Sequence, residues 1–216
     1  MQQYTRALIN LALEYRALQF GRFTLKSGRI SPYFFNAGAL NDGAALRRLC
    51  GCYREALTAA KLDFDMLFGP AYKGIPLATG LALTYADEQD RALAWAFDRK
   101  EAKDHGEGGE LIGAPLRGRV VIVDDVLSAG TSIRHSLALL RAHGARPTAA
   151  VVALDREERG QSEASARGEL EATGLKVISI AGMSDLIEFL DAEPDLQQHH
   201  ASMVEYRANW GIDIDK

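Results

Sequence analysis

The chain is poor in cysteine and has no long hydrophobic run, and each absence argues against a class of protein. Its 216 residues include only two cysteines, Cys50 and Cys52. A Cys-x-Cys spacing suits neither a common zinc knuckle nor an easily formed disulfide, so we expect reduced helix residues in a cytoplasmic protein. No apolar stretch approaches the ~18 residues of a membrane-spanning helix. The first ten residues also lack a signal-peptide pattern, and we expect no membrane partner.

An excess of positive charge is also missing. The 25 Lys and Arg residues are outnumbered by 29 Asp and Glu residues, which gives a formal net charge of -4. Non-specific nucleic-acid binding depends on the neutralisation of phosphates by basic groups, so we expect no nucleic-acid partner. A hydrophobic content of 47% is ordinary for a globular protein. The length predicts one domain, residues 1–216, with a substantial core.

Hydrophobic periodicity alternates between helix-like and strand-like segments along the chain. Leu8, Leu11 and Tyr15 recur at helical spacing, whereas residues 119–123 form the continuous apolar run of a buried strand. Strands are also predicted within 20–35 and at 65–68, 93–97, 149–154 and 176–180. Helices are predicted at 42–57, with Asp42 as the cap, and at 74–86, 133–144, 163–172, 184–190 and 194–210. This alternation predicts an α/β fold with a mainly parallel sheet flanked by helices.

The strongest motif is residues 120–132, in which the buried strand runs into Asp124 and Asp125. A short loop with Gly130 and several hydroxyls follows, and a helix begins after it. Backbone N–H groups at a helix N-terminus favour an anion, and ligands in α/β folds lie beyond the carboxyl ends of strands. Walker A and Gly-x-Gly-x-x-Gly motifs are missing. Either acid alone could cap the helix, but the whole run favours a phosphate site beside ribose hydroxyls.

Three other segments add cations, aromatic rings and glycines. Residues 23–36 combine Lys26 with several aromatic rings, a mix that suits a planar anionic base, although such rings are more often core. Residues 68–76 place Lys73 between a strand end and a helix start. Residues 99–110 are charged but not net basic and contain three glycines. We interpret them as a loop that acts as a mobile lid over a small anionic ligand.

Residues 120–132 resemble the 5-phosphoribosyl diphosphate (PRPP) motif of the type I phosphoribosyltransferases. With the three segments above and residues 154–160, the chain resembles the bacterial orotate branch of that family from Tyr4 to about Gly211. The resemblance implies the type I fold, with a small hood from the first ~40 residues and C-terminal segments. It implies transfer of phosphoribosyl from PRPP to orotate with Mg²⁺, which gives orotidine 5′-monophosphate and diphosphate. It also implies a homodimer whose lid reaches the partner's site.

The resemblance also assigns site residues. The catalytic residues would be Lys103, His105, Asp124 and Asp125. The PRPP contacts would be Lys26, Tyr72, Lys73, Arg99, Lys100, Lys103, His105, Asp124, Asp125, Val126, Leu127, Ser128, Ala129, Gly130, Thr131 and Ser132. The orotate contacts would be Phe34, Phe35, Ser128 and Arg156, with Ser128 at a position where Thr is common. Mg²⁺ would be held mainly through PRPP, with Asp124 or Asp125 as a water-mediated ligand. The Ala71–Tyr72 peptide is expected to be cis.

Three other functions fit the sequence less well. A transferase for a purine or another base fits less well, because Lys26, the aromatic rings and Arg156 favour an acidic pyrimidine. A non-catalytic PRPP-sensing regulator on the same fold would add a nucleic-acid surface, and no basic helix is present. A metal hydrolase that uses the two acids lacks a ligand set, since none of the five histidines lies in a zinc-type motif.

Overall fold

A six-stranded sheet lies at the centre of the computed structural model, which describes residues 1–25, 28–103, 109–159 and 165–212. The strands are β1 Leu18–Thr24, β2 Ile30–Phe35, β3 Met66–Gly69, β4 Ala94–Lys103, β5 Gly109–Gly113, β6 Arg119–Leu127, β7 Arg146–Asp155 and β8 Lys176–Gly182. The helices are α1 Gln3–Glu14, α2 Gly43–Ala59, α3 Gly74–Gln89, α4 Thr131–Ala142, α5 Ala166–Glu171, α6 Met183–Ala192 and α7 His200–Trp210.

The order of the strands in the central sheet is β5-β4-β3-β6-β7-β8. All neighbouring pairs are parallel except β4 with β5, so the predicted α/β fold with a mainly parallel sheet is confirmed. The chain leaves β3 toward one edge and leaves β6 toward the other. The crevice between the carboxyl ends of β3 and β6 is therefore the topological switch point, where such sheets bind their ligands.

Both faces of the sheet are covered, which explains the uninterrupted apolar run in β6. Val121 and Val123 belong to the hydrophobic cluster formed with α1, α2, α3 and α6, and Val120 and Ile122 belong to the cluster formed with α4 and α5. Because strand side chains alternate between faces, a strand covered on both sides is apolar at every position.

Local signals in the sequence set several helix ends. The Asp42 carboxylate accepts a hydrogen bond from the Ala45 N–H at 2.8 Å, so the predicted cap of α2 is confirmed. Gly144, with φ +76°, follows the end of α4 and confirms the predicted stop. In the described part of the chain, no helix is long and apolar enough to cross a membrane.

Two sequence predictions of local structure were wrong. Residues 99–110 are not simply a loop, because β4 extends to Lys103 and β5 begins at Gly109, and the two pair antiparallel. Backbone hydrogen bonds hold this hairpin at the sheet edge, and they do not depend on side-chain polarity. The predicted helix at 194–210 is divided into a 3-10 helix, Pro194–His199, and α7. Strands β1 and β2 form a separate antiparallel pair that contacts α7.

Candidate active site

The acid pair lies on β6 at the switch point, and the strand continues past it to Leu127. Both carboxyl-bearing residues are largely buried, with 8% of Asp124 and 8% of Asp125 exposed. The Tyr53 hydroxyl donates to the backbone carbonyl of Asp124 at 2.7 Å. The Asp125 N–H donates to Asp124 Oδ1 at 2.9 Å. The backbone at the acid pair is therefore fixed from α2 and from within the strand.

Burial and a neighbouring charge change the protonation of Asp124. Burial, and then the neighbouring charge of Asp125, raise the pKa of Asp124 to about 6. Hydrogen bonds from the Asp125 amide and the Ser132 hydroxyl oppose this rise, since they favour the charged carboxylate. A carboxyl group with such a pKa can accept hydrogen bonds from a ligand's hydroxyl groups at neutral pH.

Lys73 reaches the acid pair from the other side of the switch point. Its Nζ lies 2.7 Å from Asp125 Oδ2, and about half of the lysine side chain is exposed. Two glycines in the same segment allow the close approach. A Cβ on Gly74 would lie 2.7 Å from the Val123 carbonyl oxygen, and one on Gly69 would lie 2.1 Å from the Gly74 carbonyl oxygen. The β3–α3 loop is thereby pressed against β6.

The predicted phosphate loop, residues 128–132, connects β6 to the start of α4. Gly130 has φ +70°, a left-handed conformation that glycine adopts without strain. The first N–H groups of α4 have no acceptor within the helix, so they can bind an anion. Val126 packs against the larger hydrophobic cluster, and Leu127 is buried in the smaller one. Leu127 is only 1% exposed, so it can contact PRPP only through its backbone.

A cavity of about 470 Å³ lies between the β3–α3 loop, β4 and the start of α4. Its lining is Pro70, Ala71, Asp98, Arg99, Lys100, Glu110, Thr131, Ser132 and His135. Lys100 Nζ lies 4.7 Å from the centre of the Tyr72 ring, and 66% of Tyr72 is exposed. The structure thus places Arg99 and Lys100 of β4 in the lining of one cavity, and the Tyr72 ring lies beside Lys100.

Asp98 is a residue of this cavity that the sequence analysis missed. It is only 5% exposed, and its Oδ1 accepts a hydrogen bond from the Ala71 N–H at 2.6 Å. Its Oδ2 lies 3.6 Å from Nε2 of His135 on α4. The sequence does place an acid directly before Arg99 and Lys100, near a strand end. In a segment with many charged residues, one more acid does not stand out as a site residue.

Arg156 lies just past the end of β7, beside the phosphate loop. Its N–H donates to the Leu127 carbonyl at 3.0 Å. The guanidinium is 4.3 Å from the centre of the Tyr33 ring, and its Nη2 lies 3.1 Å from Ser31 Oγ and 2.6 Å from Glu158 Oε1. Arg156 is therefore held by the end of β6 at Leu127 through its backbone and by β2 through its side chain.

The two phenylalanines predicted to contact orotate have different surroundings. Phe34 is 38% exposed and stacks on Phe23, with ring centres 5.6 Å apart. Phe35 packs against the larger hydrophobic cluster. Because neighbouring side chains of a strand point to opposite faces, the two rings point away from each other. Phe34 offers an exposed ring to a ligand, and Phe35 stays a predicted contact.

Some predicted site residues lie outside the described part of the structure. Lys26 and His105 are among them, as is the side chain of Lys103, whose backbone pairs with Gly109 in the β4–β5 hairpin. The Ala71–Tyr72 peptide is cis, as predicted.

The two carboxylates of the acid pair suit a hard cation such as Mg²⁺ that takes its other ligands from a bound substrate. Among the described residues, no cluster of three or more His, Cys, Asp or Glu side chains could hold a metal by itself. Asp124 and Asp125 offer two carboxylates, and Mg²⁺ is commonly bound by one or two carboxylates together with substrate phosphates. The residues therefore fit the implied Mg²⁺, with its remaining ligands supplied by PRPP and water.

Relatives with known names match nearly the whole chain. The model of the phosphoribosyl transferase domain family matches residues 38–171. The orotate phosphoribosyltransferase of Thioalkalivibrio sulfidiphilus is 54% identical over 213 residues, which cover 98% of this chain and 100% of the relative. That of Pseudomonas aeruginosa is 52% identical with the same coverage.

Solved structures agree with these relatives. The crystal structure of the Francisella tularensis orotate phosphoribosyltransferase gives a TM-score of 0.85 at 35% identity, over 94% of this chain and 98% of that chain. The Aeropyrum pernix orotate phosphoribosyltransferase gives 0.68 at 27% identity, over 86% and 99%. The similarity therefore includes both the switch-point site and the segments that distinguish the orotate branch. The chain belongs to the orotate phosphoribosyltransferase family.

Proposed function

We propose that the described cavity and acid pair carry out the family reaction, the transfer of phosphoribosyl from PRPP to orotate. One observation carries this assignment: Lys73 Nζ lies 2.7 Å from Asp125 Oδ2 across the switch point, beside the cation-lined cavity. A ligand with a diphosphate and a ribose matches this arrangement, since cations surround one part of the site and carboxylates form the other.

The charges of the site suit the bond that breaks. Loss of diphosphate from the anomeric carbon builds positive charge on the ribose ring and negative charge on the leaving group. Lys73, Arg99, Lys100 and Lys103 would stabilise the leaving group, and preorganised charge of this kind often makes a large contribution to catalysis. Bound Mg²⁺ would supply further positive charge to the diphosphate. Asp124 and Asp125 would bind the ribose hydroxyls and favour its cationic character.

The base would bind on the β7 side of the phosphate loop. The buried guanidinium of Arg156 can bind a planar carboxylate, Ser128 offers a hydroxyl, and the exposed ring of Phe34 offers an apolar face. Orotate is a nucleophile once its ring nitrogen is deprotonated, so no covalent enzyme intermediate is required. His105 and Lys103 of the lid would close over the site and exclude water.

The remaining parts of the proposal rest on the family resemblance. A homodimer would let the lid of one subunit cover the partner's site. Residues 1–216 would form one phosphoribosyltransferase domain, with a hood from the first ~40 residues and C-terminal segments. The biosynthetic reaction and the reduced cysteines are consistent with a cytoplasmic location.

A panel of bases tests the function directly. The protein is mixed with PRPP and Mg²⁺, and orotate, uracil, adenine and hypoxanthine are supplied separately. We expect only orotate to be consumed, with release of one diphosphate per nucleotide formed. Turnover of a purine would indicate a transferase for another base, and PRPP binding without turnover would indicate a regulator.

A further inference from the structure

Asp98 is a buried acid to which the proposed reaction gives no task. It lies in β4, directly before Arg99, and only 5% of the residue is exposed. A buried carboxylate is costly unless it is hydrogen bonded and paired with a charge. Both contacts of the Asp98 carboxylate come from outside β4, which indicates that Asp98 connects separate parts of the site.

The two oxygens of Asp98 have different partners. Oδ1 accepts the N–H of Ala71 at 2.6 Å, in the loop that carries Tyr72 and Lys73. Oδ2 faces Nε2 of His135 at 3.6 Å, one turn after the start of α4. One side chain of β4 therefore contacts two other elements that line the 470 Å³ cavity, the β3–α3 loop and α4.

The amide contact bears directly on two proposed diphosphate ligands. Ala71 immediately precedes Tyr72 and Lys73, so the position of its N–H sets where both side chains start. The exposed Tyr72 ring in turn lies 4.7 Å from the Lys100 ammonium. Without an acceptor at Asp98, the loop would lose this hydrogen bond to β4, and the cations would be less well placed.

We propose that Asp98 is a positioning residue for PRPP, which fixes the Ala71–Lys73 loop through its hydrogen bond to the Ala71 amide. This inference rests on the proposed function, since it assumes that the cavity binds the diphosphate. Asp98 itself need not touch PRPP. The acceptor oxygen is what the loop requires, and the negative charge only has to be balanced.

Two substitutions of Asp98 distinguish the effect of its acceptor oxygen from the effect of its negative charge. Asp98→Asn keeps an oxygen that can accept from Ala71, whereas Asp98→Ala removes it. Calorimetric titration of each variant with PRPP and Mg²⁺ should show Kd raised about tenfold or more by Asp98→Ala and less than about threefold by Asp98→Asn. The KM for orotate should be unchanged in both. Equal losses in the two variants, or no loss in Asp98→Ala, would overturn the proposal.

Asp65→Ala is the matched control for stability. Asp65 pairs with Arg119 at 2.7 Å at the opposite end of the same sheet, so its loss should not change the Kd for PRPP. If Asp98→Ala does not fold, Asp98→Leu removes the acceptor while filling the buried space. A wild-type protein that binds PRPP but does not consume orotate would refute the proposed function alone, because the titration does not depend on turnover.

Discussion

Glu158 binds the guanidinium of Arg156, with Glu158 Oε1 2.6 Å from Arg156 Nη2. The same oxygen accepts a hydrogen bond from the Tyr206 hydroxyl of α7 at 2.9 Å. Both side chains of the ion pair are about nine-tenths buried, 8% exposed for Arg156 and 10% for Glu158. Arg156, the proposed orotate contact, is thus held by Glu158. Glu158 is in turn held by Tyr206 of the C-terminal helix α7.

Removal of Glu158 should therefore affect orotate more than PRPP. In Glu158→Ala the buried guanidinium loses its charge partner, and we expect the KM for orotate to rise about tenfold with the KM for PRPP changed less than about twofold. Steady-state kinetics with each substrate varied in turn measures both values. Equal rises in the two KM values would contradict a specific role at the base site.

The exposed pair of Arg6 with Glu193 provides the control for that variant. Its side chains are 46% and 41% exposed, and the atoms lie 3.1 Å apart. Because solvent screens such a pair, Glu193→Ala should cost less than about 1 kcal/mol of unfolding free energy and leave both KM values unchanged.

Loss of the Lys73 ammonium should slow the transfer step. Lys73→Ala removes one cation from the proposed leaving-group site, and we expect kcat/KM for PRPP to fall about 100-fold. Lys176→Ala is a matched control, because Lys176 Nζ bonds the Ala60 carbonyl at 3.1 Å on the exposed surface, away from the switch point. A Lys73→Ala enzyme with nearly normal kcat/KM would contradict the assignment.

The raised pKa of Asp124 predicts a pH-dependent stability. Its pKa is about 6 in the folded chain, against an ordinary value of 3.8. Between these pH values the folded state binds more protons than the unfolded state, so the free energy of unfolding should fall as pH rises from about 4 to 6. Once the pH is well above 6, the accumulated loss of unfolding free energy is on the order of 3 kcal/mol.

Asp124→Asn should remove this dependence. Urea unfolding of the ligand-free wild type and variant at pH 4 and pH 7.5 measures the difference between them. We expect the variant to gain stability relative to the wild type at the higher pH, because it no longer buries a charge. The same difference at both pH values would show that Asp124 does not contribute.

Gly74 should not tolerate a side chain. A Cβ there would lie 2.6 Å from Pro70 Cδ and 2.7 Å from the Val123 carbonyl oxygen, both in the site's framework. Gly74→Ala should therefore push the β3–α3 loop away from β6, lower stability by about 1–3 kcal/mol and reduce kcat/KM. Thermal unfolding and steady-state kinetics check the two effects.

Gly51 offers the opposite outcome within the same chain. It lies inside α2, and a Cβ there would meet nothing within 4 Å. Gly51→Ala should raise stability by about 1 kcal/mol, because alanine is the better helix former, and it should leave activity unchanged. Destabilisation by Gly51→Ala would show that the space around that position is not open.

Local patterns were enough to predict much of the fold. The apolar run of β6 required a strand covered on both faces, and Asp42 and Gly144 marked a helix start and a helix end. The acid pair and the phosphate loop are contiguous in sequence, so the core of the site could be found without the structure. The hairpin of β4 and β5 could not be predicted in this way, because its backbone pairing produces no recognisable pattern of side chains in a charged segment.

The sequence by itself determined which groups are available: the acids, the cations and the loop at a helix start. Only the tertiary structure decided which of them meet. Lys73 and Asp125 are 52 positions apart, and the parallel pairing of β3 with β6 brings them to 2.7 Å. The proposed positioning role of Asp98 also depends on the tertiary structure. Burial removes water from its carboxylate, so that Ala71 and His135 are the groups it contacts.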